Sequence, residues 1–548
     1  MKLPEWITPA PRVLVLGTMV YAGLVALSAI YILVFNWWGL DDIINFRILR
    51  LVLAATAYGA IFWALMGFLA YYIRYRLDEF GRRAFLVIAA IASVFWILVW
   101  PGLFDADSFI VMQQADRAFY GRWHGPSSAI AGAVLQHIPL LGAVGWVQLL
   151  FFSVAAAYAF QTLRAMTGSM LGIVLMAGLM LVSAPFLYNL MFVGRESWLA
   201  VLSLFLVVDC VQYFREPHWR DGRTAGRIIA LGVIGYYLRS EAATYLALSC
   251  LVILGRHLVA DGRFWKAINV KAVAWRAFAP SVALLIAMKL LVPIGLPGWI
   301  DQSRYDMSLW IDPIGDILSE GDAGIAQEDL DTIYAVVPKA HFKDWANKNI
   351  VAKFFDAIED GTIDPPATDV ERKKVMRSVV NIILARPGPY LKGRLSDFAV
   401  VDAPHKSPYE IAVQPTQAFI DSPRAKAWAA MIDGSPHYGG WFPDARRAME
   451  SFFKDTLPTP IGAFQWAIVP DLVILVFVIA LFPWQPGFAF GALLVVSRVP
   501  PLFLLMPEGQ SKYFSPIEFA LPFLIAGVLA AVWPALRAVA SRNLRSNA

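Results

Sequence analysis

Apolar residues in this chain fall in long blocks, near 13–38, 49–72, 84–104, 138–161, 170–193, 197–214, 228–255, 277–296, 462–484, 487–506 and 515–537. Crossing roughly 30 Å of hydrocarbon takes about 20 residues of helix, and most blocks reach or approach that length. The pattern predicts an all-α polytopic membrane protein with about 11 to 13 transmembrane helices, depending on how the longest blocks are divided. The first block is too long for a signal-peptide core and lacks a small-residue cleavage site, so it is expected to remain as a helix.

Orientation follows from Lys and Arg in the short connections. Arg74, Arg76, Arg82 and Arg83 follow the second block, and Arg215, Arg220, Arg223 and Arg227 follow the sixth. Both connections are therefore expected inside. The stretch 256–276 carries Arg256, Arg263, Lys266, Lys271 and Arg276 against Asp261, which places it inside as well. Block 228–255 must then enter and leave on one side, so a fold-back is expected near Leu238–Ala242, where Arg239 and Glu241 interrupt the apolar run. Both termini then lie inside, and 297–460 lies outside. The expected divisions are two N-terminal transmembrane helices (1–83), a core (84–296) with its first outer loop at 104–137, a mostly α outer domain (297–460) and C-terminal transmembrane helices (461–548).

Within the outer segment, Val370, Val375, Val379, Ile382 and Ile383 recur at helical spacing before Pro387, and a second helix is expected over 339–359. The stretch 395–445 is rich in Pro, Gly and Asp and reads as loops over the membrane face. Trp299, Trp310, Trp345, Trp428 and Trp441 could stack on sugars, but they read first as core or interfacial anchors.

Composition sharpens this picture. Of 548 residues, 58% are hydrophobic and 16% charged, against about 25% charged in soluble domains. A disordered chain and an ordinary soluble enzyme are both excluded. The net charge of +5 comes from basic loops, with no aromatic and basic interleaving suited to nucleic acid. The two cysteines, Cys210 and Cys250, lie in apolar segments and make no disulfide framework. The seven His show no metal-site spacing, and no P-loop, GxGxxG, HExxH or nucleophile elbow is present.

The informative residues are the charges set among the apolar blocks. Asp105 and Asp107 sit where the third block leaves the membrane, followed by a short amphipathic stretch at 108–120 and by His124. Arg195 and Glu196 occupy a short outer turn, Arg239 and Glu241 the top of the fold-back, and Lys512 and Tyr513 the last outer turn. Lys289 lies about 18 Å up from the inner face and Asp471 about 14 Å down from the outer one, with Arg498 near or above the middle. Each buried charge costs roughly 2.5–3.5 kcal/mol on insertion scales. The basic members outnumber the acids available to pair with them. A cation surplus beside a carboxylate at the outer face suits a lipid phosphate, with the carboxylate taking a nucleophile's proton.

At these residues the chain resembles the GT-C superfamily of integral membrane glycosyltransferases. The matching positions in the first outer loop are Pro101, Gly102, Asp107, Ser108, Gln114, Ala115, Gly121 and His124, with His-Gly-Pro where the bacterial members have His-Pro-Pro. Arg195 and Glu196 resemble the family's charged pair after its fifth helix, although Lys-Asp is expected there. Leu238, Arg239 and Ser240 resemble its Leu-Arg-Asn or Leu-Arg-Ser element, and Lys512 and Tyr513 its late aromatic and basic turn. The likeness is patterned over 85–300 and thin beyond. It implies a GT-C-like bundle, with a core of seven membrane helices and the catalytic Asp in the loop after the first. Blocks three to eight give the same number once the fold-back counts as two.

The resemblance implies sugar transfer from a polyprenyl phosphate carrier to a lipid, glycan or protein acceptor in the periplasm, at a bacterial inner membrane. Asp107, or Asp105 as second choice, is the expected base. Arg195, Glu196, Arg239, Glu241, Lys512, Tyr513, Lys289 and Arg498 would hold the carrier phosphate, and His124 would lie on the acceptor side. No cofactor is required, and a divalent metal is not indicated. Two other readings stand beside this one: a transporter or flippase of a lipid-linked sugar, and an O-antigen ligase or polymerase using a diphosphate carrier.

Overall fold

A computed structural model describes residues 47–100, 102, 108, 111, 125–138, 142–216, 223–239, 242–261, 303–345, 353–354, 357–358, 360–363, 366, 368–402, 442–456, 459–505 and 511–546. Their regular elements are all helices. Helix α1 (Arg47–Tyr71) runs into a π turn (Tyr72–Arg76), and α2 (Glu79–Leu98) starts behind Asp78, whose side chain accepts from Gly81 N as an N-cap. Helices α3 (Gly125–His137), α4 (Ala143–Thr167), α5 (Leu171–Val182), α6 (Ala184–Met191) and α7 (Arg195–Arg215) follow. Helices α8 (Arg223–Leu238) and α9 (Ala243–Asp261) close the first half.

Helix α7 is the centre. Apolar residues occupy all of its sides, as suits an enclosed helix, and all but three of its 21 residues are buried, Arg195, Glu196 and Asp209 among them. It packs on α4, on α8, and on two later helices, α18 (Pro486–Val496) and α20 (Ser515–Ser546). Helix α2 lies against α4, where the Trp96 ring covers Gly145 and its Nε1 donates to Gly142 O at 3.0 Å. The opposite face of α2 is open, with Leu86, Val87, Ile91 and Val94 exposed, as suits contact with lipid tails.

Among the described residues, five helices are long and apolar enough to cross a membrane, or up to seven if each of two bent pairs is one span. The chain therefore has the character of a multi-pass membrane protein. Blocks 13–38 and 277–296, part of the larger expected number, lie outside the described residues. The two halves of block 228–255 do form a helix pair: α8 and α9 pack antiparallel, with Gly232 against Tyr245 and Ser249, and Ser249 Oγ donating to Ile228 O at 3.3 Å.

Three expectations differ from the structure. The expected outer loop 104–137 is helical over Gly125–His137, and this helix packs on α1 and α4. Block 170–193 is not one straight span, because α5 and α6 meet at 76°. Ser183 caps α6 by accepting from Phe186 N, and Pro185 in its first turn has no N–H to continue the helix before it. The block at 462–484 is bent by 59° between α16 (Pro460–Trp466) and α17 (Ile468–Ala480).

The segment expected outside has its own apolar core, built by α10 (Ser303–Ser319), α11 (Gln327–Tyr334), α12 (Lys339–Trp345), α13 (Asp369–Ala385) and α14 (Pro387–Asp402). Val375, Val379 and Ile382 are buried in it as expected, whereas Val370 at the start of α13 is exposed. Trp310 is a core residue. The stretch read as loops from 395 remains helical to Asp402. Helix α14 docks on the bundle beside α19 (Val499–Leu505): Tyr390 Oη donates to Leu504 O at 2.9 Å, and Phe398 packs on Phe503 and Phe514. Helix α15 (Pro443–Thr456) packs on α6 and α16.

Candidate anion site at one end of the bundle

The first turn of α7 presents Arg195 and Glu196. A carboxylate is favoured there because the helix dipole places partial positive charge at that end. Glu196 Oε1 accepts from Arg195 Nε at 3.2 Å and pairs with Arg239 Nη2 at 3.1 Å. Arg239 stands just past the last turn of α8, where the fold-back begins, and its backbone N donates to Gly235 O. The guanidinium lies over the Tyr513 ring at 4.7 Å. Tyr513 belongs to a short 3-10 turn (Ser511–Phe514), and Lys512 before it reaches to 5.9 Å from the same ring and 6.0 Å from Phe192. Arg498, between α18 and α19, donates from Nη1 to Tyr513 O at 3.2 Å. Ser515 Oγ donates to Glu196 O, which ties α20 to α7.

Arg195 and Arg239 thus pair with Glu196, while Arg239, Arg498 and Lys512 all meet Tyr513. They are not a solvated face: Arg195 is 3% exposed, Arg239 3% and Arg498 2%. Nε and Nη2 of Arg498 have no hydrogen-bond partner among the described residues. A buried guanidinium with unmet donors is costly unless an acceptor arrives. The chemistry such a cluster can perform is to bind a small multiply charged anion and stabilise charge that grows on it.

Asp105, Asp107, His124, Glu241 and Lys289 lie outside the described residues. Their chain neighbours are informative. Gly102 has φ of +105°, where a side chain is strained, and a Cβ there would collide with Trp96 and approach Val193. Val193 is two residues before Arg195. Ser108 and Val111, beyond the two acids, are buried, and Val111 belongs to the bundle core.

The far end of α7 carries a second charged cluster, which the pattern of blocks did not single out. Asp209 is fully buried and accepts from Tyr72 Oη and Tyr158 Oη, each at 2.9 Å, and from Arg227 Nη2 at 3.0 Å. Arg76 donates to Tyr158 Oη at 2.7 Å and pairs with Glu216 at 3.1 Å. The sequence signal was a lone Asp in an apolar run. Arg76 and Arg227, expected on one face of the membrane, stand about 20 Å along α7 from Arg195 and Arg239, expected on the other.

A third cluster joins α10 to α14. Asp312, Asp316 and Asp397 bring carboxylate oxygens within 4.8 Å of one another. That spacing could hold a metal, but Arg394 pairs with all three, with Asp397 at 2.8 Å and Asp316 at 3.5 Å. Burial, reinforced by the Asp312 charge and only partly offset by Arg394, pushes Asp316 up to about 6. Asp397 is raised for the same reasons, well above the usual carboxylate range. One guanidinium does not balance three ionised acids, so the cluster retains a proton near neutral pH.

No family model, curated protein or solved structure matches the chain.

Proposed function

We propose that the protein is a membrane glycosyltransferase that moves a sugar from a polyprenyl phosphate carrier to an acceptor at the outer face of a bacterial inner membrane. The observation that carries this reading is the buried Arg498 beside the head of α7, whose Nε and Nη2 have no hydrogen-bond partner among the described residues. A lipid monophosphate would offer acceptor oxygens to those donors and carries an apolar tail suited to a membrane protein. The GT-C resemblance covers Arg195, Arg239 and Lys512 of this cluster.

In this mechanism Asp107, or Asp105, accepts the proton of an acceptor hydroxyl or amine as that atom attacks the anomeric carbon and inverts it. The C1–O bond to the carrier phosphate breaks as the new bond forms. Arg195, Arg239, Arg498 and Lys512 take up the charge that grows on the departing phosphate, while Glu196 fixes two of these guanidiniums. Glu241, Lys289 and Tyr513 complete the expected carrier site, and His124 faces the acceptor. Gly102 against Val193 supports this arrangement, because the loop bearing the acids starts beside the residues leading into Arg195.

Asp107→Asn should abolish sugar transfer while the variant still inserts and extracts as wild type. Unchanged turnover would sink the assignment of the base. The two bent helix pairs favour one competitor, a flippase, because broken helices line many transport sites. Movement of the lipid-linked sugar between leaflets without loss of its sugar would decide for that competitor.

A further inference from the structure

Between Glu371 and Asp397 the chain carries seven basic residues and no acidic one. Arg386 and Lys392 pair with Glu320, and Arg394 pairs with Asp312, Asp316 and Asp397, whereas Lys373, Lys374 and Arg377 are exposed along α13. Beside these cations α13 also exposes Met376, Val380 and Leu384, which recur every four residues and so share one face. That face differs from the one that buries Val375, Val379 and Ile382 in the core. Helix α14 repeats the pattern: Leu391 and Leu395 are exposed one turn apart, while Tyr390 and Arg394 are buried. A helix with water on its outer side carries polar residues at such positions. The placement of α14 says what lies against them instead. Tyr390 Oη donates to Leu504 O, and Leu504 is the last residue of the candidate membrane span Pro486–Leu504. Helix α14 also touches α17, whose Val473, Val476 and Phe477 are exposed as lipid-facing residues are. It therefore lies where the bundle leaves the hydrocarbon, at the end that carries the anion site, and a tyrosine is favoured at that level.

We propose that this face of α13 and α14 is a docking surface for the bilayer itself: Leu384, Leu391 and Leu395 enter the headgroup boundary, and Lys373, Lys374 and Arg377 meet the phosphates of anionic phospholipid in the same leaflet. A helix that lies in the interface needs an apolar stripe flanked by Lys or Arg, and both are present. Leu384 and Leu391 stand on either side of the Arg386–Pro387 junction, which makes the two stripes continuous along the chain. A second copy of this chain would bring the same exposed cations to the contact, where like charges repel, whereas an anionic leaflet complements them. The segment 303–402 is thus held to the membrane by its own side chains as well as by the bond from Tyr390 to α19. Docking of this kind requires a membrane-spanning bundle and does not depend on sugar transfer.

The experiment places the photo-crosslinker p-benzoylphenylalanine in the full chain at Leu391, at Leu395 and, as a control, at Glu328, which is exposed on α11. Each protein is reconstituted in liposomes of phosphatidylcholine and phosphatidylglycerol in equal amounts and irradiated, and its adducts are weighed by mass spectrometry. All three positions are exposed, so substitution there is expected to leave the melting midpoint near that of wild type. Lipid adducts are expected at both leucines, well above the yield at Glu328, with phosphatidylglycerol favoured about fivefold or more. Lys373→Gln, Lys374→Gln and Arg377→Gln together should remove most of that preference while the adducts persist. No lipid adduct at either leucine, the same yield at Glu328, or equal capture of the two lipids would overturn the proposal. Adducts to a second copy of the chain in place of lipid would overturn it equally.

Discussion

Arg239 shows how much of this molecule depends on single charged side chains. Its guanidinium has one face on Tyr513 and one edge on Glu196, and it sits where α8 gives way to α9. Asp209 does the same at the other end of α7, with two tyrosines and Arg227 around it. Removing one partner of a buried pair leaves the other uncompensated, at a cost of about 3–5 kcal/mol, whereas losing one neutral hydrogen bond costs about 1 kcal/mol. Asp209→Asn should therefore lower thermal stability several times more than Tyr158→Phe, as read from melting in the same detergent. Equal losses would mean that Asp209 is not the balancing charge for Arg227. Arg195, Glu196, Arg239, Arg498 and Lys512 were legible in the sequence because charges interrupting apolar runs are conspicuous, and Tyr513 because it follows Lys512 in the last expected outer turn. Asp209 was not singled out, because its partners Tyr72 and Tyr158 carry no signal until the chain is folded.

Helices show the same division between what a pattern reveals and what it hides. The fold-back between α8 and α9 was legible because the basic residues on both sides of block 228–255 demanded the same face. The bend at Ser183 was hidden inside a continuous apolar run, although Ser183 and Pro185 form a helix-start signal that could have revealed it. Packing between helices was least legible, since it depends on small residues whose role appears only in three dimensions. Gly145 is such a residue: a Cβ there would collide with the Trp96 ring that holds α2 on α4. Gly145→Ala is expected to destabilise by about 1–3 kcal/mol through overpacking. Tryptophan fluorescence should report the displacement of Trp96, and a variant as stable as wild type would contradict this packing.

Across the whole molecule, charge is sorted by place: one buried cluster at each end of α7, and a third in the seam between α10 and α14. The third gives the molecule a pH dependence outside the membrane-spanning segments. Asp316, at about 6, and Asp397, higher still, have folded pKa values above the unfolded carboxylate value of about 4. Folding thus favours their protonated forms. The resulting stability is complete below about pH 4 and is lost as pH rises through the two folded values. Amide exchange in 303–319 and 387–402, corrected for intrinsic rates, should be slower at pH 5 than at pH 9. The reverse order would mean that Arg394 dominates the cluster.

The central claim is that the cation cluster at the head of α7 holds a lipid phosphate, and it is tested most directly by competition between two lipids that differ only in charge. Purified protein in nanodiscs is offered polyprenyl monophosphate and the corresponding neutral polyprenol, and the retained lipid is measured by native mass spectrometry. Charge-assisted hydrogen bonds to buried guanidiniums should favour the phosphate by about tenfold or more, and Arg498→Leu should remove most of that preference. Equal retention of the two lipids by the wild-type protein would contradict the claim.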